Sequence, residues 1–519
     1  MSLTYWIITF LVLNVIHFAG TWKLYKKAGF SPISAIIPFY NIHILLKIIN
    51  RPWWWIFLFF IPIVNNIMII VSWIELIRSF GKNKTTDSLL VTFTLGFYLF
   101  YLNYVEDPKF IESRSHESKT DTGDWVSAIV FAIVAATIIR TFSFEAYTIP
   151  TSSMEKSMMV GDFLFVSKMS YGTRVPMTQF TLPLLHDSIP VLGLPAYIKG
   201  PELPYFRLPK FSSIKNNDIV VFNYPMVDAP VDKKTNYIKR CVAIAGDSLK
   251  IENGVVFVNG KEQKLPEGAK AQFSYIVTIK PGKSLFVSGD TYSDNILTRK
   301  LDITDGIIPA GDYYQYFNIN FPNWQKFTSA KNKDDLNRVY AINLTEEKVS
   351  QLSSWKAVES VKQYIKPSTR KSSGIFPSNK NWNVDNYGTI YIPEAGVTTP
   401  LNNDNIEFYR RLITVYENNT LEEKDGKFLI NGVESNSYTF KQDYYWMMGD
   451  NRYNSLDSRF WGFVPEDHVV GKPTFIWMSL NQHGKGLSKF RWDRIMTGIS
   501  DQGNKKDRKI IVAILILLS

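Results

Sequence analysis

Tyr237-Ile238-Lys239-Arg240-Cys241-Val242 is a run of apolar and β-branched residues interrupted by two adjacent cations. Read as a strand, it puts Lys239 and Arg240 on opposite faces, because strand side chains alternate with a period of two. Its neighbours carry the same signature. Residues 218–223 (DIVVFN), 254–258 and 408–416 are β-branched and aromatic, and 468–478 reads as a further strand. Asn253-Gly254, Asp425-Gly426 and Asn431-Gly432 are hairpin turn signals. The region after Thr141 is therefore expected to be an antiparallel, mainly β domain. Residues 345–361 give the one helical pattern in it, with Thr345 as a cap and Val349, Leu352 and Trp355 along one side.

Upstream of Thr141 the pattern changes. Residues 1–22 contain no Asp, Glu, Lys or Arg, which is enough chain to cross a ~30 Å hydrocarbon layer as a helix. No basic residue precedes this run and no clear small-residue cleavage site follows it, so it reads as a retained span rather than a cleaved leader. Residues 52–74, 88–105 and 125–139 read as further spans, the first with Trp53, Trp54 and Trp55 as an interfacial anchor. Residues 28–46 are also uncharged, but Pro32, Pro38, Asn41 and His43 interrupt them, which fits an interfacial or re-entrant segment. The organisation expected is a membrane region over 1–105 with about three spans, a polar linker over 106–124, a transmembrane anchor over 125–142, the β domain over 143–503, and a tail over 504–519.

Lys23, Lys26, Lys27, Lys47 and Arg51 assign the first long connection to the cytoplasmic side. Four crossings then leave everything after Thr141 outside. Arg78, Lys82 and Lys84 oppose that scheme, and a crossing by 28–46 would reverse the parity. In the tail, residues 504–509 are basic and 510–518 apolar; nine residues are too few to cross, so they dip into the interface or begin a longer span.

Composition narrows the function classes. The chain has 519 residues, 45% of them hydrophobic, with a formal charge of +11. Its lysines flank apolar runs, which points to anionic lipid rather than nucleic acid, and no basic arm interleaved with stacking aromatics occurs. A single cysteine, Cys241, excludes an internal disulfide and a cysteine-based zinc site. The six histidines are scattered without metal-ligand spacing, so neither a metal nor another cofactor is expected.

Three stretches hold the residue types of a chemical site. Tyr147-Thr148-Ile149-Pro150-Thr151-Ser152-Ser153-Met154 carries three adjacent hydroxyls just after an apolar run, either a helix N-cap or a nucleophile at a membrane surface. A serine nucleophile needs a base. No G-x-S-x-G elbow is present, and His468, the nearest histidine to a suggestive region, reads as solvent-facing at a strand start. The other base is a lysine kept neutral by desolvation. Lys239 fits that, or is an ordinary exposed lysine on an edge strand. The third stretch, 449–462 (GDNRYNSLDSRFWG), is rich in paired charges and hydroxyls, and builds either an ion-pair network or a solvated loop.

Together these stretches resemble type I signal peptidase, the Ser/Lys leader peptidase of bacteria. The family's serine-methionine pair is matched by Ser153-Met154 after Thr151-Ser152, and the glycine-aspartate that follows by Gly161-Asp162. Its lysine-arginine strand is matched by Lys239-Arg240 with Gly246-Asp247, and its most characteristic box by 449–462. The resemblance covers 141 to about 480, with an insertion at roughly 252–400. It implies a signal-peptidase/LexA-like antiparallel β-sheet catalytic domain, membrane-anchored, behind a helical multi-span region. It implies Ser153 as nucleophile, Lys239 as general base, and Thr151 with the Ser153 N–H as oxyanion hole. Ser455 would orient the lysine, and Asp457–Arg459 and Arg240–Asp450 would be supporting ion pairs. Tyr147, Ile149, Pro150, Ile238 and Met447 would line shallow pockets for small side chains. Substrates would be signal peptides of exported precursors, cut after Ala-x-Ala sites on the extracytoplasmic face of the cytoplasmic membrane. The sequence departs from the pattern at Glu155-Lys156, where a proline is usual, and at Tyr453, where an aspartate is common.

Two other readings compete. Ser153-Met154-Glu155-Lys156 also matches S-x-x-K of penicillin-interacting acyl enzymes, with Ser293-Asp294-Asn295 as an S-D-N, but no K-T-G follows. The non-enzymatic alternative is a membrane-anchored binding module.

Overall fold

The computed structural model describes residues 3–112, 114, 121–200, 202–285, 296–301, 303, 306–330, 333–482, 484–500 and 503–504. Part of the expected linker, residues 113 and 115–120, lies outside the described residues, as do Ser293-Asp294-Asn295 and the tail from 505. The chain forms two compact units: Met1–Phe144 with Thr173–Leu208 and Asp228–Lys234, and Glu145–Gly172 with Pro209–Val227 and Thr235–Ser519.

The first unit is built on apolar helices. Two are long and apolar enough to cross a membrane, Thr4–Lys27 and Gly123–Phe142, among the described residues. The stretches 52–74 and 88–105, each expected as one span, are each two helices. Trp53–Phe60 is a 3₁₀ segment, followed by Val64–Ser79. Pro62 interrupts the first stretch because it has no N–H for the helical ladder, and Ile63 beside it takes φ +71. Thr85–Phe93 and Tyr98–Tyr104 are parted where Leu95 and Gly96 take φ +50 and +85. The loop 173–208 returns to these helices through hydrogen bonds. Gln179 Nε2 donates to Asn65 Oδ1 at 2.8 Å, and Trp6 Nε1 donates to the Glu202 carbonyl at 3.0 Å.

The second unit is organised by a mainly antiparallel sheet. Its strands run in the order β1 (Phe144–Thr148), β2 (Asp162–Ser167), Val469–Ser479, β3 (Ile219–Asn223), β4 (Asn236–Ala243), Tyr444–Met448 and Val464–Pro465. Every residue of β3 is buried, as its unbroken apolar run requires. Alternation along β3 feeds two apolar clusters, Ile219 and Val221 in one, Val220 and Phe222 in the other. In register, Lys239 lies opposite Val220 and Arg240 opposite Ile219, so the two cations fall on different faces of β4. The turns at Asn253-Gly254, Asp425-Gly426 and Asn431-Gly432 all take positive φ at both residues, the geometry that favours Asn-Gly and Asp-Gly in tight hairpins.

Three local expectations are corrected. Residues 408–416 are helical: Ile406–Arg411 continues into a π turn at Leu412–Tyr416. Ile406, Tyr409, Leu412, Ile413 and Tyr416 are all buried in one cluster, a helical spacing that outweighs the β-branched composition. The helix begun by Thr345, whose Oγ accepts from the Lys348 N–H at 3.4 Å, spans only Glu346–Ser353. The β-branched run after it pairs instead as the strand Val358–Gln363. His468 is buried, not solvent-facing, and its Nδ1 lies 2.5 Å from Asp467 Oδ1.

Between the last two motif stretches lies a second sheet. Its strands run Val358–Gln363, Phe273–Ile279, Val339–Leu344, Ile307–Pro309, all antiparallel. Alternation covers both faces. Val277, Ile279, Ile342 and Leu344 pack with Leu352 on one side, and Ile276 and Ala341 with Phe317, Trp324 and Tyr364 on the other.

Candidate active site

Ser153 sits in the short 3₁₀ turn Ser152–Met154 after β1. Thr151 precedes it with extended backbone and makes no side-chain capping bond, so the hydroxyl run is not serving as a helix cap. Met154 is fully buried among Ile149, Met158, Leu164 and Val166, which anchors the turn and leaves Ser153 with 8% exposure.

The Lys239 amine reaches this serine from the middle of the sheet. Nζ lies 2.7 Å from Ser153 Oγ and 3.0 Å from the Ile238 carbonyl. It also sits over the Tyr237 ring, 5.3 Å from its centre. Lys239 is 3% exposed, and burial pushes its ammonium down to about 8 against the opposing pull of Asp457 and Asp450. A lysine in that range is half neutral near pH 8, and in its neutral form can accept a serine proton. Lys156, the lysine of the S-x-x-K match, instead lies 3.7 Å from the Glu155 carboxylate.

On the other face of β4, Arg240 forks onto Asp450: Nε donates to Oδ1 at 2.8 Å and Nη2 to Oδ2 at 2.5 Å. Ser157 Oγ donates to the same carboxylate at 2.5 Å, and Arg240 Nη1 donates to the Asn217 carbonyl at 2.7 Å. Arg459 grips Asp457 in the same way, Nε to Oδ1 at 2.9 Å and Nη2 to Oδ2 at 2.8 Å. The Gly449 N–H adds a bond to Asp457 Oδ2 at 3.1 Å. All four charged side chains are almost completely buried. Burial alone would raise both carboxyls, yet the arginine charges and hydrogen bonds hold each below the usual carboxylate range. The stretch 449–462 is thus a buried ion-pair frame, not a solvated loop.

That frame is bonded directly to the serine turn. The Asn451 N–H donates to the Ser153 carbonyl at 3.0 Å, and Asn451 Nδ2 donates to the Ser152 carbonyl at 3.2 Å. Asn454 Nδ2 donates to Ser152 Oγ at 2.9 Å. Gly449 is required by contact: a Cβ there would meet Ser455 Oγ at 2.2 Å and the Ser153 carbonyl at 2.5 Å. Ser455 is therefore packed against the serine turn with its hydroxyl buried. Of the residues expected to line substrate pockets, Ile149, Tyr147 and Ile238 share one apolar cluster, Pro150 is exposed, and Met447 is buried in a different cluster beside Cys241 and Trp461. Sequence reasoning gave no role to Ser157, Asn217 or Asn451. Only Asn451 had a signal, its place inside the charged stretch.

Comparison with known proteins extends this picture. Residues 33–113 match a family of unknown function (DUF5684). Residues 122–318 and 386–478 match the family described as signal peptidase, peptidase S26, more than half of the chain. Among curated relatives, Signal peptidase I of Buchnera aphidicola subsp. Baizongia pistaciae is 24% identical over 364 residues, 70% of this chain and 79% of its own. Signal peptidase I of Haemophilus influenzae is 22% identical over 392 residues, 75% of this chain and 79% of its own. Signal peptidase I of Rickettsia massiliae is 27% identical over 225 residues, 43% and 74% of the two chains. With the family match spanning both the serine turn and the charged frame, the chain belongs to the signal peptidase family, peptidase S26.

Proposed function

We propose that this signal peptidase cleaves with Ser153 as nucleophile and Lys239 as general base. The observation that carries the assignment is the buried Lys239 amine 2.7 Å from Ser153 Oγ. Neutral Lys239 takes the hydroxyl proton as Oγ attacks the scissile carbonyl. The resulting oxyanion is held by the Ser153 N–H and the Thr151 hydroxyl, each donor commonly worth ~3 kcal/mol. The protonated lysine then returns its proton to the departing amine, leaving an acyl-serine that water hydrolyses with Lys239 again as base. Ser455 orients the lysine, and the Asp457–Arg459 and Arg240–Asp450 pairs hold the loop and strand that carry the reacting groups. Ile149, Tyr147, Pro150, Ile238 and Met447 shape pockets for small side chains, which selects Ala-x-Ala sites.

The wider arrangement belongs to the same proposal. Residues 1–105 form a membrane region of about three spans, 106–124 a polar linker, 125–142 an anchor, and 143–503 a signal-peptidase/LexA-like catalytic domain with an insertion at about 252–400. The two long apolar helices support bilayer anchoring. The catalytic domain works on the extracytoplasmic face of the bacterial inner membrane, on signal peptides of exported precursors.

The test is cleavage, in detergent, of a precursor bearing an Ala-x-Ala site by the intact protein, Ser153→Ala and Lys239→Ala. The intact protein should cut after the final alanine, and both folded variants should be inactive. Full activity in Lys239→Ala would return Lys156 and His468 as candidate bases.

A further inference from the structure

The family match stops at 318 and resumes at 386, so the strand Val339–Leu344 lies outside it. One residue of that strand breaks its apolar pattern. Ala341 and Ile342 enter the two apolar clusters, but Asn343, 7% exposed, carries an amide into the interior. A buried amide is costly unless hydrogen-bonded. Here both ends are engaged. Ser274 Oγ, from the residue opposite in register, donates to Asn343 Oδ1 at 3.0 Å. Asn343 Nδ2 donates to Asn451 Oδ1 at 3.3 Å. Gly306 leaves the room for this: a Cβ there would lie 2.9 Å from Asn343 Nδ2.

The relay ends on the serine turn. Asn451 Nδ2 holds the Ser152 carbonyl at 3.2 Å. In a trans peptide the carbonyl of one residue and the N–H of the next point in opposite directions across a rigid plane. Asn451 Nδ2 and the Glu155 N–H, the latter at 2.9 Å, together hold the Ser152 oxygen and so fix the direction of the Ser153 N–H. Gln272, just before the neighbouring strand, braces the backbone on either side of Asn451. Its N–H donates to the Asp450 carbonyl at 2.8 Å and its carbonyl accepts from the Arg452 N–H at 3.0 Å.

We infer that Asn343, backed by Ser274, is a positioning residue for the oxyanion donor of Ser153, so that the sheet between the motif stretches is a working part of the catalytic machinery. The inference rests on the reading of Ser153 as nucleophile. Loss of the relay leaves the serine, the lysine and the substrate pockets in place and loosens the peptide that stabilises the oxyanion.

The experiment compares the intact chain in detergent with Asn343→Leu, Ser274→Ala and Leu352→Ala, on the Ala-x-Ala precursor. Leu352 is buried with Ile342 and Leu344 on the face of the same sheet opposite to that of Ala341 and Asn343, so it reports on stability alone. Asn343→Leu should lower kcat by about 10- to 100-fold with KM within about twofold, because mispositioning by remote change acts on the transition state. Its pH midpoint should match the parent's. Ser274→Ala should lower kcat by a smaller factor, and Leu352→Ala should lower the melting temperature while keeping kcat. The inference is overturned if folded Asn343→Leu keeps parental kcat, if KM rises as much as kcat falls, or if Leu352→Ala loses kcat equally. If Asn343→Leu does not fold, Ser274→Ala decides: reduced kcat supports the relay and parental kcat refutes it. An inactive parent chain would instead fail the nucleophile reading, a result separable from these.

Discussion

Replacing Lys239 by methionine should abolish cleavage and stabilise the protein at neutral pH. Burial lowers the Lys239 ammonium from 10.5 to about 8. At ~1.4 kcal/mol per unit, the folded state bears about 3 kcal/mol for holding that charge away from water. The sign follows from proton counts. Below pH 8 the lysine is protonated folded and unfolded, so the whole penalty is present. Between about 8 and 10.5 the unfolded chain binds more protons, and stability rises with pH. Methionine, of similar length and uncharged, removes the penalty but also the bonds to Ser153 Oγ and the Ile238 carbonyl. Those offset about 1 kcal/mol, leaving a net gain of roughly 2 kcal/mol at pH 7 that reverses to a small loss above pH 10.5. The assay is protease susceptibility and tryptophan-detected unfolding of the parent and the methionine variant at pH 7 and pH 10.5. A variant less stable than its parent at pH 7, or a difference that does not change with pH, would refute the desolvated-lysine argument.

In the parent enzyme, kcat/KM should rise with unit slope below about pH 8 and level above it, so that a pH-rate series finds about one tenth of the plateau at pH 7. Asp457→Asn leaves the Arg459 guanidinium buried without its counter-charge and should cost about 3–5 kcal/mol, read as a fall in melting temperature and in yield of folded protein. Gly449→Ala drives a methyl group to within 2.2 Å of Ser455 Oγ and 2.5 Å of the Ser153 carbonyl, and should lower kcat more than it raises KM.

The residues that proved close in space were legible as chemistry but not as a constellation. Lys239 stood out because an apolar strand isolates its charge, and the alternation that separates it from Arg240 needs no tertiary information. Its partner Ser153 lies 86 positions away, and only the resemblance joined them before the structure did. Residues 408–416 misled because tyrosine, isoleucine, threonine and valine suit strands, while the spacing of Ile406, Tyr409, Leu412 and Ile413 follows a helix. His468 misled because a strand-end position says nothing about the Tyr416 ring, 5.5 Å away, that covers it. Pro62 marked a break within 52–74, yet composition alone made that stretch read as one span. Asn343 offered only a polar interruption in VYAINL; its partner Asn451 is 108 positions on, and no local pattern predicts such a contact.

A Ser/Lys pair poses an electrostatic problem that the neighbouring residues answer. The lysine must be buried to be neutral, but any carboxylate close by would hold its proton in place. Asp457 and Asp450 both pull the Lys239 ammonium upward. Each, however, is engaged by two guanidinium hydrogen bonds, from Arg459 and Arg240 respectively. A carboxylate paired in this way presents a dipole rather than a full charge to its surroundings, so its field at the amine is weakened. Desolvation then wins, and the lysine titrates near 8 instead of above 10. Strand alternation supplies the geometry. Consecutive positions of β4 send one cation to the serine and the other to Asp450, so a single strand carries both the proposed base and part of the screen around it. The ion pairs of the 449–462 stretch thus do more than brace a loop: in the proposed mechanism they keep the carboxylates from holding Lys239 protonated.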